Sequence, residues 1–143
     1  MKKIITTLSF LLFATSSLIC QNSTFTIPTL EKTQEWLKSK IESHGVGRYP
    51  AVGYKVEFNK DCQMTVKEMS FDGAVLKTSD IEYKTIDFEK VTMRINSIET
   101  LIVQLNSVEL RFAHDDNNDF YYRLIKALKN CKEQCGGVPD DLF

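Results

Sequence analysis

The hydrophobic positions of this 143-residue chain change period along its length, and each change marks a boundary. Ile4 to Ile19 form an uncharged run behind Lys2 and Lys3, and polar Gln21, Asn22 and Ser23 follow it directly. A positive start, a short apolar stretch and a small-residue exit are the plan of a secretory signal peptide. A spanning helix needs roughly 20 apolar residues. This run is shorter, and Thr6, Thr7, Ser9, Thr15, Ser16 and Ser17 interrupt it.

After an extended lead-in over residues 21 to 28, Leu30, Leu37, Ile41 and His44 recur at helical spacing, with Thr33 and Trp36 beside them. Thr29 is an N-cap type, Glu31 suits the first turn, and Gly45 and Gly47 supply a stop. The spacing predicts a helix over 30 to 44.

The period then becomes two. Val52, Tyr54, Val56 and Phe58 alternate with polar residues, and so do Cys62, Met64 and Val66 beyond the turn residues Asn59, Lys60 and Asp61. These two runs predict a hairpin. Asp72-Gly73 marks a second turn. Alternation resumes at Ile81, Tyr83 and Thr85, continues through Thr92 to Ile95 and Thr100 to Gln104, and ends with Val108, Leu110 and Phe112. Strands this closely spaced, without intervening helices, must pair antiparallel.

The helical period returns with Phe120, Leu124, Leu128, Cys131 and Cys135, predicting a helix over 119 to 135. Asn117 or Asn118 would cap its start, and Gly136-Gly137 its end. Lys126, Lys129 and Lys132 stand in its later half, where the dipole favours cations.

The predicted class is α+β: an N-terminal helix, six to seven antiparallel strands, and a C-terminal helix closing the sheet. The predicted organisation is a signal peptide over 1 to 20, the lead-in over 21 to 28, one domain over 29 to 137, and a tail over 138 to 143. The element order over 51 to 137 resembles a pleckstrin-homology-like (PH-like) roll with an extra helix in front. Leu124-Ile125-Lys126-Ala127-Leu128, the end at Cys135-Gly136-Gly137, and the opening Pro28-Thr29-Leu30-Glu31-Lys32-Thr33 resemble small secreted bacterial proteins of unassigned function. That resemblance implies the roll and no catalytic residues. PH-like domains bind phospholipid headgroups, peptides or other proteins, so it implies a protein, peptide or lipid partner. Fold analogy of this kind is associational.

Charge and composition narrow the classes. The formal charge is −1, and removing Lys2 and Lys3 with the leader makes it −3. Lysine and arginine are scattered among carboxylates, so the footprint of a nucleic-acid binder is missing. The 123 residues after Cys20 suit one domain with a real core. Cleavage after Cys20 leaves Gln21 first, while cleavage after Ser16 matches the small-x-small rule through Ala14 and Ser16. A third reading lipidates Cys20 and anchors the chain to a membrane, although Leu18 and Ile19 stand where a lipobox wants small residues. The expected location is therefore secreted or periplasmic, with a lipid-anchored envelope protein as the alternative. Asn22-Ser23-Thr24 fits a glycosylation sequon, which matters only in a eukaryotic secretory pathway.

Cysteine chemistry stays open between two readings. Losing Cys20 leaves Cys62, Cys131 and Cys135, an odd number that permits one internal disulfide. Cys131 and Cys135 lie one turn apart on a helix with parallel Cβ vectors, so a bridge from Cys62 to one of them is the better fit. The other reading is three small buried hydrophobes.

Few residues offer further chemistry. Asp115, Asn117 and Asp119 alternate as oxygen ligands do in a calcium loop, but Phe120 replaces the turn glycine and Lys126 the bidentate glutamate. A solvated loop and helix cap explains the same residues. Cys62 with His44 or His114 would make a nucleophile pair, but Cys62 alternates with Met64 and Val66 on an apolar face. His44 and His114 are also remote from any zinc-like cysteine pattern. Trp36, Tyr49, Tyr54, Tyr121 and Tyr122 could line a groove or serve the core. No phosphate loop, G-x-S-x-G or H-E-x-x-H occurs. The sequence therefore assigns no catalytic, metal or cofactor residue. It favours a non-enzymatic binding module, with a small secreted enzyme using a Cys-His or carboxylate site as the alternative.

Overall fold

A computed structural model of the protein describes residues 26–59, 62–96, 100–113 and 119–138. The signal segment, His114 to Asn118 and the tail beyond Val138 lie outside them.

Helix α1 spans Leu30–His44. The Thr29 hydroxyl caps it by accepting from the Lys32 amide at 3.4 Å, and the Thr33 hydroxyl donates back to the Thr29 carbonyl at 3.0 Å. Leu37 and Ile41, one turn apart, are fully buried. Strands β1 (Ala51–Phe58), β2 (Gln63–Ser70) and β3 (Val75–Glu82) form one antiparallel sheet in that order. Strands β4 (Thr92–Ile95), β5 (Thr100–Leu105) and β6 (Val108–Ala113) form a second. Helix α2 spans Asp119–Gln134 and buries Leu124, Leu128 and Cys131.

The α+β class, both helices and antiparallel pairing agree with the pattern. Among the described residues, however, the six strands make two sheets of three and not one continuous roll. The expected strand at Ile81 to Thr85 is also corrected. β3 starts earlier, at Val75, and Tyr83–Thr85 is a 3-10 turn. Tyr83 and Ile86 still enter the core, because a three-residue turn returns its side chains to one face.

The core side is fixed by register. Val56 pairs with Val66 and Met64 with Ile81 in the first sheet. Leu101 pairs with Phe112 and Val103 with Leu110 in the second. Directly opposed residues share a face, and all eight are buried.

The two sheets are fastened by contacts outside the regular strand ladders. Gly45 bridges to Phe112, and the Val46 amide donates to the Arg111 carbonyl at 2.9 Å. The Arg111 amide donates to the Tyr54 hydroxyl at 3.0 Å, joining β6 to β1. Glu42 of α1 accepts the Val56 amide at 2.9 Å, satisfying a donor on the outer edge of β1. These contacts give Gly45 a second role beside the expected cap, in which its amide donates to the Ile41 carbonyl at 2.9 Å. Its φ of −69° is ordinary, but a Cβ there would lie 2.3 Å from both the Ile41 carbonyl oxygen and the Tyr54 ring. Gly136, at φ 77°, is the left-handed cap: the Gly137 amide reaches back to the Lys132 carbonyl at 2.8 Å.

Lys132, in the last turn of α2 where the dipole favours a cation, is buried. Its Nζ donates to the Ile86 carbonyl at 3.1 Å and lies 5.5 Å from the Phe88 ring centre, with Lys129 Nζ 5.4 Å from the same ring. Cys62, expected within a strand, precedes β2 at φ 59°.

Candidate functional site

The features that present chemistry to solvent lie on β4 and at the tip of the β2–β3 hairpin. In β4, Met93 pairs with Val103 and Ile95 with Leu101. Val103 and Leu101 are core residues, so Met93 and Ile95 point to the core side of their sheet. Yet Met93 is 46% and Ile95 50% exposed. The core side of the second sheet is thus sealed over β5 and β6 and open over β4. β4 is also an edge, hydrogen-bonded among the described residues only to β5. An unpaired strand edge beside open apolar side chains is the ordinary receptor for an added strand.

The opposite face of the same sheet is closed by charge pairing. Glu109 accepts from Arg111 at 2.8 Å and from Arg94 at 3.0 Å. Burial acts to raise the Glu109 carboxyl, but the two guanidinium partners outweigh it and hold the group below the usual range. Ile102, opposed to Arg94 and Arg111, is buried on this polar face. The network therefore orients β4 and leaves its other side available.

The β2–β3 hairpin extends beyond the core, and most of β3 is exposed. Phe71 at its tip is 93% exposed, followed by half-exposed Val75 and Leu76. Asp72 holds the tip by accepting from the Ser70 hydroxyl and the Ala74 amide.

The structure separates the other residues singled out by the sequence. Cys62 is bonded to Cys135, with Cα atoms 5.8 Å apart, and Cys131 is a buried free thiol. The disulfide closes a loop of 73 residues, which in the chain-entropy account contributes about 4 kcal/mol. Such a bond is compatible with an extracellular or periplasmic location. It removes the thiol that a Cys62–His pair requires, so that nucleophile pair is corrected. His44 Nδ1 hydrogen-bonds the Ser43 hydroxyl at 2.7 Å, and its ring stacks on Phe120 at 5.3 Å.

Of the calcium-like residues, Asp119 is paired with Arg123 at 2.9 Å, and Asp115 and Asn117 lie outside the described residues together with His114. No three His, Cys, Asp or Glu side chains cluster among the described residues. The five aromatic candidates do not share one fate. Tyr54 is buried, and burial raises its hydroxyl to about 12. Trp36 and Tyr121 pack against the core, while Tyr49 and Tyr122 are largely exposed.

Sequence reasoning missed the opening at β4. The alternation of Met93 and Ile95 with Thr92 and Arg94 reads as an ordinary half-buried strand. The available signal was the length of the strand: four residues at a sheet edge give little for a helix to cover.

No described helix is long and apolar enough to cross a membrane. No family model, curated protein or solved structure matches the chain.

Proposed function

We propose that the chain is exported and that its mature part is a non-enzymatic binding module of the periplasm or cell exterior, a PH-like arrangement built as two sheets. Its ligand is an extended segment of another polypeptide, taken up along β4. The observation that carries this reading is the exposure of Met93 and Ile95 on the core side of an unpaired edge strand. Main-chain bonds to β4 would supply affinity, and alternate apolar side chains packing on Met93 and Ile95 would supply specificity. The Arg94–Glu109–Arg111 network supports it by fixing the strand without using its free edge. The disulfide supports an oxidising compartment.

The test is selection from a random peptide library against the oxidised mature protein, followed by amide shift mapping. Selected peptides are expected to carry apolar residues at alternate positions and to shift Thr92 to Ile95. Met93→Lys with Ile95→Lys should weaken binding about tenfold or more, since two apolar contacts worth ~1 kcal/mol each are lost. Selection of no binder, or shifts confined to the Phe71 tip, would overturn the assignment. Intact mass of the exported protein tests location. A chain beginning near Gln21 is expected, acyl mass on Cys20 would indicate the anchored form, and an uncleaved cytosolic chain would refute export.

A further inference from the structure

Half of the ten large hydrophobic residues exposed among the described residues stand at one end of the first sheet: Tyr49, Val52, Phe71, Val75 and Leu76. The register gathers them there. Ala51 pairs with Ser70 and Val75 with Met69, so the entry to β1 flanks the β2–β3 turn. Phe71 is 93% and Tyr49 95% exposed. Rings that bare project from the surface and outline neither a pocket nor a flat face. The turn beneath them closes its own polar groups. The Ser70 amide donates to the Ala74 carbonyl at 2.9 Å and the Gly73 amide to the Ser70 carbonyl at 3.0 Å. The Ala74 amide and the Ser70 hydroxyl both donate to the Asp72 carboxylate. Charges of both signs surround the tip: exposed Arg48 and Lys77, exposed Asp72 and half-buried Glu68.

We propose that this end of the first sheet is a bilayer-insertion tip, which sets Phe71 and Tyr49 at the headgroup–acyl boundary of a zwitterionic lipid surface. The site is separate from the β4 edge. A stable protein interface takes roughly 20–30 residues a side, and a protein partner must supply a hollow for each projecting ring. The tip offers five apolar side chains. A fluid lipid interface accepts single rings without matching their shape, and aromatic residues favour that depth. A turn whose amides are already paired enters it without stranding those donors. Charge selects the kind of lipid. A zwitterionic headgroup carries a phosphate, which Arg48 and Lys77 match, and an ammonium, which Asp72 and Glu68 match. With both signs balanced the tip gains nothing from an anionic surface, and the formal charge of the chain, −1, opposes one. Asp72, next to Phe71, limits the depth, because a carboxylate is costly below the headgroups.

Co-sedimentation with phosphatidylcholine vesicles tests the proposal, using oxidised mature protein that begins at Gln21 so that no acyl chain on Cys20 contributes. Wild type is expected to sediment with the vesicles, and Phe71→Ser with Tyr49→Ser to partition about tenfold or more weakly. Both rings are almost fully exposed, so their loss leaves the core intact. Phe71→Trp gives a second readout: its emission should move to the blue when vesicles are added, while wild type, whose one tryptophan is Trp36, should not change. Added salt should leave partitioning unchanged, since apolar insertion is not screened. Met93→Lys with Ile95→Lys should sediment as wild type does, which separates this tip from the β4 edge. The proposal is overturned if wild type stays in the supernatant, if the serine variant sediments equally, if the Phe71→Trp emission does not move, or if the lysine variant loses binding. Binding that requires phosphatidylglycerol, or that salt abolishes, would overturn it in favour of charge adsorption. Self-association without vesicles that the serine variant abolishes would overturn it in favour of a second copy.

Discussion

Gly45 stands where α1, β1 and β6 meet, and its missing Cβ allows the meeting. Alanine there would press on the Ile41 carbonyl, a backbone atom that cannot swing aside, and on the Tyr54 ring that carries the bond to Arg111. Gly45→Ala is expected to lower stability by about 1–3 kcal/mol, the usual cost of overpacking. Equilibrium urea unfolding followed by circular dichroism would measure it, and an unchanged midpoint would show that the seam relaxes freely. The residue was legible in the sequence as the end of a helix, but its reason was not. Helical spacing reports neighbours three and four apart, whereas Tyr54 arrives from another element. Lys132 was legible to the same limited extent: the dipole accounts for a cation at that end of α2, but not for the Ile86 carbonyl and the Phe88 ring that bury it.

At the scale of elements, the two helices were the most legible parts, because each carries a stripe, a start signal and a glycine stop on one short segment. α2 is held by Leu124 and Leu128, both with no solvent exposure. Leu128→Ala should cost about 2–5 kcal/mol through lost burial and a residual cavity. A denaturation midpoint equal to that of the wild type would show that this stripe does not hold the helix to the sheets. The strands were legible as strands but not as a pairing pattern. Alternation fixes which side chains share a face and says nothing about which strand stops pairing with the next. Thus Ile81 and Tyr83 keep an apolar spacing across the end of β3, although the backbone has turned into a 3-10 element between them. The opening at β4 was hidden for a related reason. Met93 and Ile95 have the spacing of covered residues, and spacing along one strand does not say where the cover supplied by other elements ends.

Across the whole molecule, the joints between sheets and helices depend on uncharged hydroxyl and thiol groups inside the core, and this gives the fold an alkaline limit. Tyr54, which ties β1 to β6, is raised by burial from 10.0 to about 12, and Cys131 in α2 is raised by burial from 9.0 to about 12. Both groups are neutral when folded and ionise earlier in the unfolded chain. Their contribution is therefore fully present below pH 9 and declines as pH rises from 9 through about 12. A two-unit shift corresponds to about 3 kcal/mol for Tyr54 at full effect. Unfolding midpoints in urea are expected to stay level from pH 7 to 9 and then fall. Cys131→Ala should move the onset toward pH 10, the ordinary range of tyrosine, and also removes the thiol that could rearrange the disulfide in base. Adding Tyr54→Phe to that background should lower stability at pH 7 by about 1–3 kcal/mol, since the Arg111 amide loses its acceptor. It should also make the decline above pH 10 shallower. Tyr83, raised by burial and secondarily by Cys131 in the wild type, keeps the slope from vanishing. Equal alkaline slopes with and without Tyr54→Phe would show that the Tyr54 hydroxyl ionises in the folded protein as readily as in the unfolded chain, and that the seam between the sheets does not rest on it.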